Sequence, residues 1–378
     1  MEDQAMASIG NRLAFCIAVI VTIGLCAPSA IAGGVLLASG FNSDQVHRYD
    51  ATTGAYIGDL GPGGDLNGPL GVTVGPDGRL YVSCEESNKV LRYDRQTFAY
   101  IDEFIFDDPG TPMVDETGGL NGPTTAVFGP DGNLYVASFD NDSVLRYDGT
   151  TGAFLNVFVP TGANTLNGPD AGMIFGIDGN LYVPSYFSNR VLRYNGATGA
   201  FINTYIATGI SQSLLSRPRT ILFRYGCNEV FVNAESGNRV HRYNATTGAF
   251  IDRFIPTITA PTGMAIGADK NIYVASIANN SVVKFSGQDG SNLGTFIPSG
   301  SGGLNGVVFL MFLPLSGDAN CDGHVSLEDL DGFVQLLIDP AGYATSHPNC
   351  DTMNADVTDD GETNGLDIAA FVNLVLCN

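Results

Sequence analysis

Up to Pro314 the chain is built from short runs in which apolar and polar residues alternate, a period of two that predicts strands rather than helices. In GPDGNLYVASFDNDSVLRYDGTTGAF, from Gly129 to Phe154, the alternating runs LYVAS and SVLRY are bracketed by turn residues. Pro and Asp preset a tight turn in GPDG, and Gly supplies the positive φ in TTGA. Each unit of this kind holds four strand-like runs: one before GPDG, then LYVAS, VLRYD and GAFLNVF.

The VLRYD element recurs from Val46, Val90, Val144, Val191, Val240 and Val282, which places an aromatic ring at Tyr49, Tyr93, Tyr147, Tyr194, Tyr243 and Phe285. Spacings of 44, 54, 47, 49 and 42 residues are those of a propeller or solenoid, and four strands make one blade. The unit starting at Val35 lacks its leading run, and the last unit is that run alone, Asn305 to Pro314. Three strands from one end and one from the other complete a sixth blade and leave no free edge, whereas an open solenoid would need polar caps. With proline and glycine, then PDGNLYV, then Asn before RV and an aromatic, the units resemble the NHL-repeat family of six-bladed propellers over about 280 residues. The resemblance implies the fold. Function stays open, since such propellers serve as binding platforms, lyases and lactonases.

From Ser316 the period lengthens to that of a helix. With Asp318 at loop position one, oxygen-bearing side chains fall at Asn320, Asp322, Ser326 and Asp329, with Gly323 at the sharp turn and the His324 carbonyl at seven, the spacing of an EF-hand-like calcium loop. The same frame from Asp356 gives Thr358, Asp360, Gly361, the Glu362 carbonyl, Asn364 and Asp367. Each loop leads into a helix, DLDGFVQLLI from Asp329 and DIAAFVNLVL from Asp367, with Leu330, Phe333, Val334 and Leu337 on one face and Ile368, Phe371, Val372 and Val375 on the other's. Both loops close on Asp where an EF-hand prefers Glu, and over about 60 residues the pair resembles dockerin repeats. That resemblance implies two calcium ions held by the residues just named, and a cohesin-like partner or surface assembly. Thr358, a neutral hydroxyl where Asn or Asp is usual, implies weaker binding in the second loop. The positions that face cohesin in dockerins are here Leu327 and Glu328, Gly365 and Leu366, not the Ser and Thr of the family.

Charge sharpens this picture. The net charge is -22, no Lys or Arg follows Lys284, and 12 of the 39 acidic residues lie from Leu315 onward, so nucleic acid is excluded as a partner and the tail calls for cations. Leu13 to Ala27 is an apolar run of 15 residues followed by Ala30 and Ala32, which reads as a secretory signal cleaved after Ala32, with initiation at Met1 or Met6. A bilayer span takes about 20 apolar residues, so no membrane span is expected after cleavage, and the expected location is secreted or extracytoplasmic, that of a bacterial exported protein. Cys321 and Cys350, both beside the acidic loops, are the expected disulfide, although spacing does not fix connectivity.

Within the repeat, Arg48, Arg92, Arg146, Arg193, Arg242 and Lys284 share one register and are expected to serve the blade, as ion pairs with the following Asp50, Asp94 and Asp148 or as stems packed on the rings. His47 and His241 replace Leu91, Leu145 and Leu192 in that motif and read as repeat variants. Asp44, Asn88, Asp142, Asn189, Asn238 and Asn280, each two residues before the motif Val, suit a left-handed turn position. Ligand chemistry is expected on the face formed by the loops after LYVAS and the loops between blades. There Phe139, Tyr186 and Phe187 offer rings for stacking, Arg217 and Arg219 suit a carboxylated ligand, and Asp107, Asp108, Asp115 and Glu116 form an acidic loop. No GxSxG, HExxH, CxxC or P-loop pattern occurs, and no catalytic residue is assigned. The reading is a mainly β protein: signal 1–32, six-bladed propeller 33–314 and dockerin-like module 315–378. It leans away from an enzyme, toward recognition of an extracellular glycan or protein. The alternative is a polysaccharide-active or streptogramin-lyase-like propeller delivered by its dockerin.

Overall fold

The computed structural model describes residues 34–107, 115–207, 215–313, 317–320, 327–347, 350, 352–357 and 363–375. The alternating runs form six four-stranded antiparallel sheets. Five are consecutive in sequence, such as Pro123–Phe128, Leu134–Ser138, Ser143–Tyr147 and Phe154–Val159. The sixth joins Val307–Leu313 to Val35–Gly40, Gln45–Asp50 and Tyr56–Asp59, with Val35 opposite Leu313 and Leu37 opposite Met311. This is the expected 3+1 closure, and it makes the ring's last seam a ladder of backbone bonds rather than a loop contact.

The repeated residues hold blades together. Tyr49, Tyr93, Tyr147, Tyr194 and Tyr243 are buried, and the Tyr147 hydroxyl donates to the Thr117 carbonyl at 2.7 Å, tying strand to incoming loop. All six Asn and Asp turn residues adopt positive φ, between 47° and 58°. Each side chain accepts a backbone N–H from the next blade's entry loop: Gly68 to Asp44, Gly122 to Asn88, Gly168 to Asp142, Arg217 to Asn189, Ala260 to Asn238 and Gly306 to Asn280. The last of these closes the circle onto the first blade. Asn280→Ala loses both the bond and a residue tolerant of φ 47°, and is expected to cost about 2–3 kcal/mol; Asn280→Gly, which loses only the bond, about 1. Thermal unfolding of the two variants checks this, and equal losses would show that the backbone conformation contributes nothing.

The basic register is intra-blade, but its partners differ from those expected. Arg92 pairs with Asp102, directly opposite on the next strand, and Arg242 with Asp252 and Glu229; Arg146, Arg193 and Lys284 reach Asp131, Asp178 and Asp269 of the GPDG-type turns. Asp50, Asp94 and Asp148 instead accept the backbone N–H groups of Thr53, Thr97 and Thr151. Cross-strand neighbours sit within side-chain reach, whereas an Asp at the strand end turns into the loop it caps.

His47 lies 2.7 Å from Asp59 and 2.9 Å from the Ser43 hydroxyl, which itself donates to the Gly40 carbonyl at 3.0 Å. The imidazole is buried, so this group fastens the 41–43 turn to the outermost strand. His241 sits in the opposite setting: burial, with Arg239 and Arg253 nearby, pushes it down to about 4.

After Leu313 the structure becomes helical, with Leu330–Ile338, Pro340–Ser346 and Asp367–Val375. Phe333 and Phe371, equivalent positions of the duplicated helices, stack at 4.2 Å, and Leu336, Tyr343, Ala355, Val357 and Val375 complete the core. Only half of each expected stripe is inside. Phe333, Leu337, Phe371 and Val375 pack inward, while Leu330, Val334, Ile368 and Val372 are exposed, because two nine-residue helices share a narrow seam and Leu336 fills part of it. The middle helix is started by Asp339, whose side chain accepts the Gly342 N–H at 3.0 Å, with Pro340 in the first turn. Among the described residues no helix is long and apolar enough to cross a membrane.

Candidate functional site

Two registers of the repeat meet at the upper mouth of the central channel, the face that carries the loops after LYVAS. The first residue of those loops, three before each left-handed Asn or Asp, is Phe41, Glu85, Phe139, Tyr186, Glu235 and Ile277 in blades one to six. Inside this ring, near the start of each leading strand, stand Val308, Leu70, Thr124, Asp170, Arg219 and Thr262. A repeat that merely built blades would use similar residues at equivalent positions. Here the first register mixes rings with carboxylates, and the second places a carboxylate and a guanidinium among apolar and hydroxyl side chains.

Nine of these twelve residues, with Phe187 and Arg217, line a pocket of about 330 Å³, the lower end of the range for small-molecule sites. All five residues expected to bind ligand line it: Phe139, Tyr186, Phe187, Arg217 and Arg219. Tyr186 is buried beneath Phe187, which is 54% exposed, with ring centroids 4.9 Å apart, and Phe139 meets Phe187 at 5.5 Å. Gly168 (φ 66°) makes this possible, since a Cβ there would come within 2.9 Å of both Phe139 and Phe187.

Arg219 is engaged rather than free. It pairs with Asp170 at 3.1 Å and with Glu235, and its guanidinium lies 4.7 Å from the Tyr186 ring centroid; the Tyr186 hydroxyl donates to Glu235 at 3.1 Å. Asp170 is fully buried, and its desolvation outweighs the nearby Arg219 to hold the carboxyl above its ordinary range. Sequence reasoning followed the loops and missed Asp170. The available signal was a pair of opposite charges, Asp170 and Arg219, at a register where the other four blades carry Leu70, Thr124, Thr262 and Val308. Asp170 also breaks the repeat locally, accepting the Ala171 N–H at 2.7 Å, so the leading strand of blade four shrinks to Ile174–Phe175.

Two charged groups remain uncommitted. Arg217, held at φ 52°, lays its guanidinium 5.3 Å from the Tyr186 ring centroid and forms no ion pair among the described residues. Glu85 lines the opposite side of the pocket, with no hydrogen-bond partner for its carboxyl among the described residues. Burial, then Asp170, push it up to about 7, with Asp140 and Glu86 adding to the shift and Arg219 opposing it. A second cavity of about 1490 Å³ opens on the other face, where Arg242 is paired with Glu229 and Lys284 with Asp269 within their own blades. The acidic loop does not gather into a site among the described residues. Asp115 caps its own turn on Thr117, and Asp108 lies outside the described residues.

In the tail, Asp318, Asp329, Asp356 and Asp367, the first and last positions of the two loops, are buried beside an apolar core. Asp329 accepts the Asn320 N–H at 3.0 Å; Asp367 accepts those of Val357 at 2.9 Å and Asn364 at 2.8 Å. Buried carboxylates in a module with no Lys or Arg of its own suit a divalent cation. Asp322, His324, Ser326, Thr358, Asp360 and Glu362 lie outside the described residues, as does the side chain of Glu328. Leu327 and Leu366 are exposed at 60% and 68%, and Gly365 has open space around it. Cys350 is disulfide-bonded, its Sγ 3.7 Å from the Ala319 carbonyl, while Cys321 lies outside the described residues. Cys227, for which no bridge was expected, is disulfide-bonded too, and its turn Tyr225–Cys227 contacts the helix Asp367–Val375.

The NHL repeat family matches residues 66–93, so the chain carries an NHL repeat within its six-bladed propeller. No curated protein matches the chain. Among solved structures it is similar to a chain of the nidogen/laminin complex, at 14% identity over 74% of this chain and 98% of that one, with a TM-score of 0.57. It is also similar to a protein of unknown function from Bacteroides caccae, at 14% identity over 75% and 99%, TM-score 0.55. A streptogramin B lyase aligns at 19% identity over 62% and 70%, TM-score 0.45. At such identities the likeness is one of fold.

Proposed function

We propose that this protein is an exported recognition propeller: the upper pocket binds a ring-bearing ligand without turning it over, and the tail, folded around two calcium ions, tethers the propeller to a cohesin-like partner or surface assembly. The observation that carries the binding half is the convergence of Phe139, Tyr186, Phe187 and two arginines on one pocket. The rival reading, a polysaccharide-active or lyase-type enzyme, draws support from Glu85, a carboxyl held near 7 in a cleft. Carboxylate-driven glycoside cleavage needs a second acidic group facing the same space; among the described residues that line the pocket Glu85 is the one acid, and Asp170 behind it is bound to Arg219. That favours binding.

The tether half rests on the four buried tail carboxylates and on the exposed Leu327 and Leu366 at the dockerin partner positions. In the calcium loops Asp318, Asn320, Asp322, Ser326 and Asp329, and their counterparts Asp356, Thr358, Asp360, Asn364 and Asp367, would supply the oxygens, and calcium would supply the positive charge that the module's own residues lack.

A saccharide and peptide array probed with the full chain and with Phe187→Ala tests the pocket. Phe187 is largely exposed, so its loss leaves the fold intact; retained ligands are expected to lose roughly tenfold in affinity. Ligands held equally by both proteins, or product released by the wild type, would overturn the reading.

A further inference from the structure

We infer that the ligand of the upper pocket is an acidic saccharide, a hexuronate-type ring whose carboxylate sits on Arg217, whose face stacks on Phe187 and Phe139, and whose hydroxyls meet Glu85. The inference rests on the binding reading above and narrows it to a chemical class.

Three observations select this chemistry. The first is polarity across the mouth. Glu85 belongs to blade two, while Arg217 lies in the loop entering blade five, which a six-fold ring places opposite. Between them run two apolar walls, Phe139, Tyr186 and Phe187 on blades three and four, Phe41 and Ile277 on blades one and six. A ligand filling this space is flat-faced along its middle and polar at both ends.

The second is the state of the cations. Arg219 already faces Asp170 and Glu235, whereas Arg217 is exposed and holds no carboxylate among the described residues. Its guanidinium over Tyr186 is fixed in place by that ring and by the backbone bond from Arg217 N–H to Asn189 at 2.8 Å. A planar fork held in this way matches a carboxylate with two parallel hydrogen bonds.

The third is Glu85. Its carboxyl faces the pocket with no protein donor among the described residues, and the charged groups around it are Asp170, Arg219, Asp140 and Glu86. An ammonium would need this carboxyl ionised, and an aromatic acid offers it no partner. Hydroxyl groups satisfy it in either protonation state, because each both donates and accepts. A sugar acid is the ligand class that brings a carboxylate, a ring face of C–H groups and several hydroxyls within one small unit.

The pH dependence follows with a definite sign. The two carboxylates Asp170 and Glu235 are matched by the two guanidiniums Arg219 and Arg217, so ionisation of Glu85 adds one unmatched negative charge to the pocket. An anionic ligand is therefore held more weakly as pH rises through about 7.

The test is calorimetry on the full chain with three probes: a galacturonate trimer, its methyl ester, and a neutral galactose trimer. The acid is expected to bind at least about tenfold tighter than the other two, and Arg217→Gln to remove that difference without weakening the neutral trimer. Between pH 6 and pH 8 the acid should lose several-fold in affinity, and Glu85→Gln should abolish that slope. Equal binding of acid and ester, or a slope that survives Glu85→Gln, overturns the acidic-saccharide assignment. If neutral sugars or peptides bind and Phe187→Ala releases them, the pocket reading stands and only its ligand class is wrong. If the acid binds but Phe187→Ala and Arg217→Gln leave it unchanged, both readings fall.

Discussion

Chelation with EGTA is expected to make the chain beyond Leu313 protease-sensitive while the strands from Val35 to Leu313 stay resistant. Asp318, Asp329, Asp356 and Asp367 are each at most 2% exposed, and on the proposed reading chelation takes away the cation that these buried carboxylates hold. The module has little to set against this. Its core is one small cluster around Phe333 and Phe371, and helices of nine residues do not persist without tertiary support. On the proposed reading, folding and metal binding are a single equilibrium. Asp329→Ala and Asp367→Ala, each removing a closing ligand, should lower calcium affinity on the order of a hundredfold, while Asp331→Ala, an exposed acid in the same helix, should change nothing. A cleavage pattern indifferent to EGTA would remove calcium from the account.

The contrast between what was legible and what was not has one physical source. A residue that serves the blade recurs in every blade, so the left-handed role of Asn88 and its equivalents, the buried ring at Tyr93, and the 3+1 closure could all be read from recurrence, and the structure has each of them. A residue that serves the pocket does not recur. Phe139, Tyr186, Phe187, Arg217 and Arg219 could be found because they lie in the variable loops. Asp170 escaped because it stands at the register of the leading strands, outside the loops where ligand chemistry was expected. The partners of the repeated arginines were misread for another reason: Asp94 is near Arg92 in sequence, but Asp102 lies opposite it across the ladder. In the tail, a helical period says which residues share a face, but how much of that face is covered depends on the neighbouring helix, and Leu330 and Ile368 remain outside.

The largest effect of one substitution on the propeller is expected at Arg219. Arg219→Gln leaves Asp170, at 0% exposure, without its cation, and breaking a buried pair from one side costs about 3–5 kcal/mol, seen as a fall in Tm on the order of 10 °C. The penalty must depend on pH. Asp170 already titrates above its ordinary value, and loss of Arg219 raises it further, so the folded state holds its proton to higher pH than the unfolded chain does. A raised carboxyl stabilises the fold at low pH and loses that contribution as pH rises through the folded value. The variant should therefore be closest to wild type near pH 4–5 and furthest from it at pH 7 and above. Asp170→Asn in the same chain removes the buried charge and should recover most of the loss at neutral pH, a coupling that a simple packing defect would not show. Recovery of the fold need not restore the pocket. Tyr186 loses the guanidinium beneath which it is held, so the double variant should unfold near the wild-type temperature and still bind ligand more weakly. Equal destabilisation at pH 5 and pH 8, with no rescue by Asp170→Asn, would show that the Asp170–Arg219–Glu235 group is not the electrostatic unit described here.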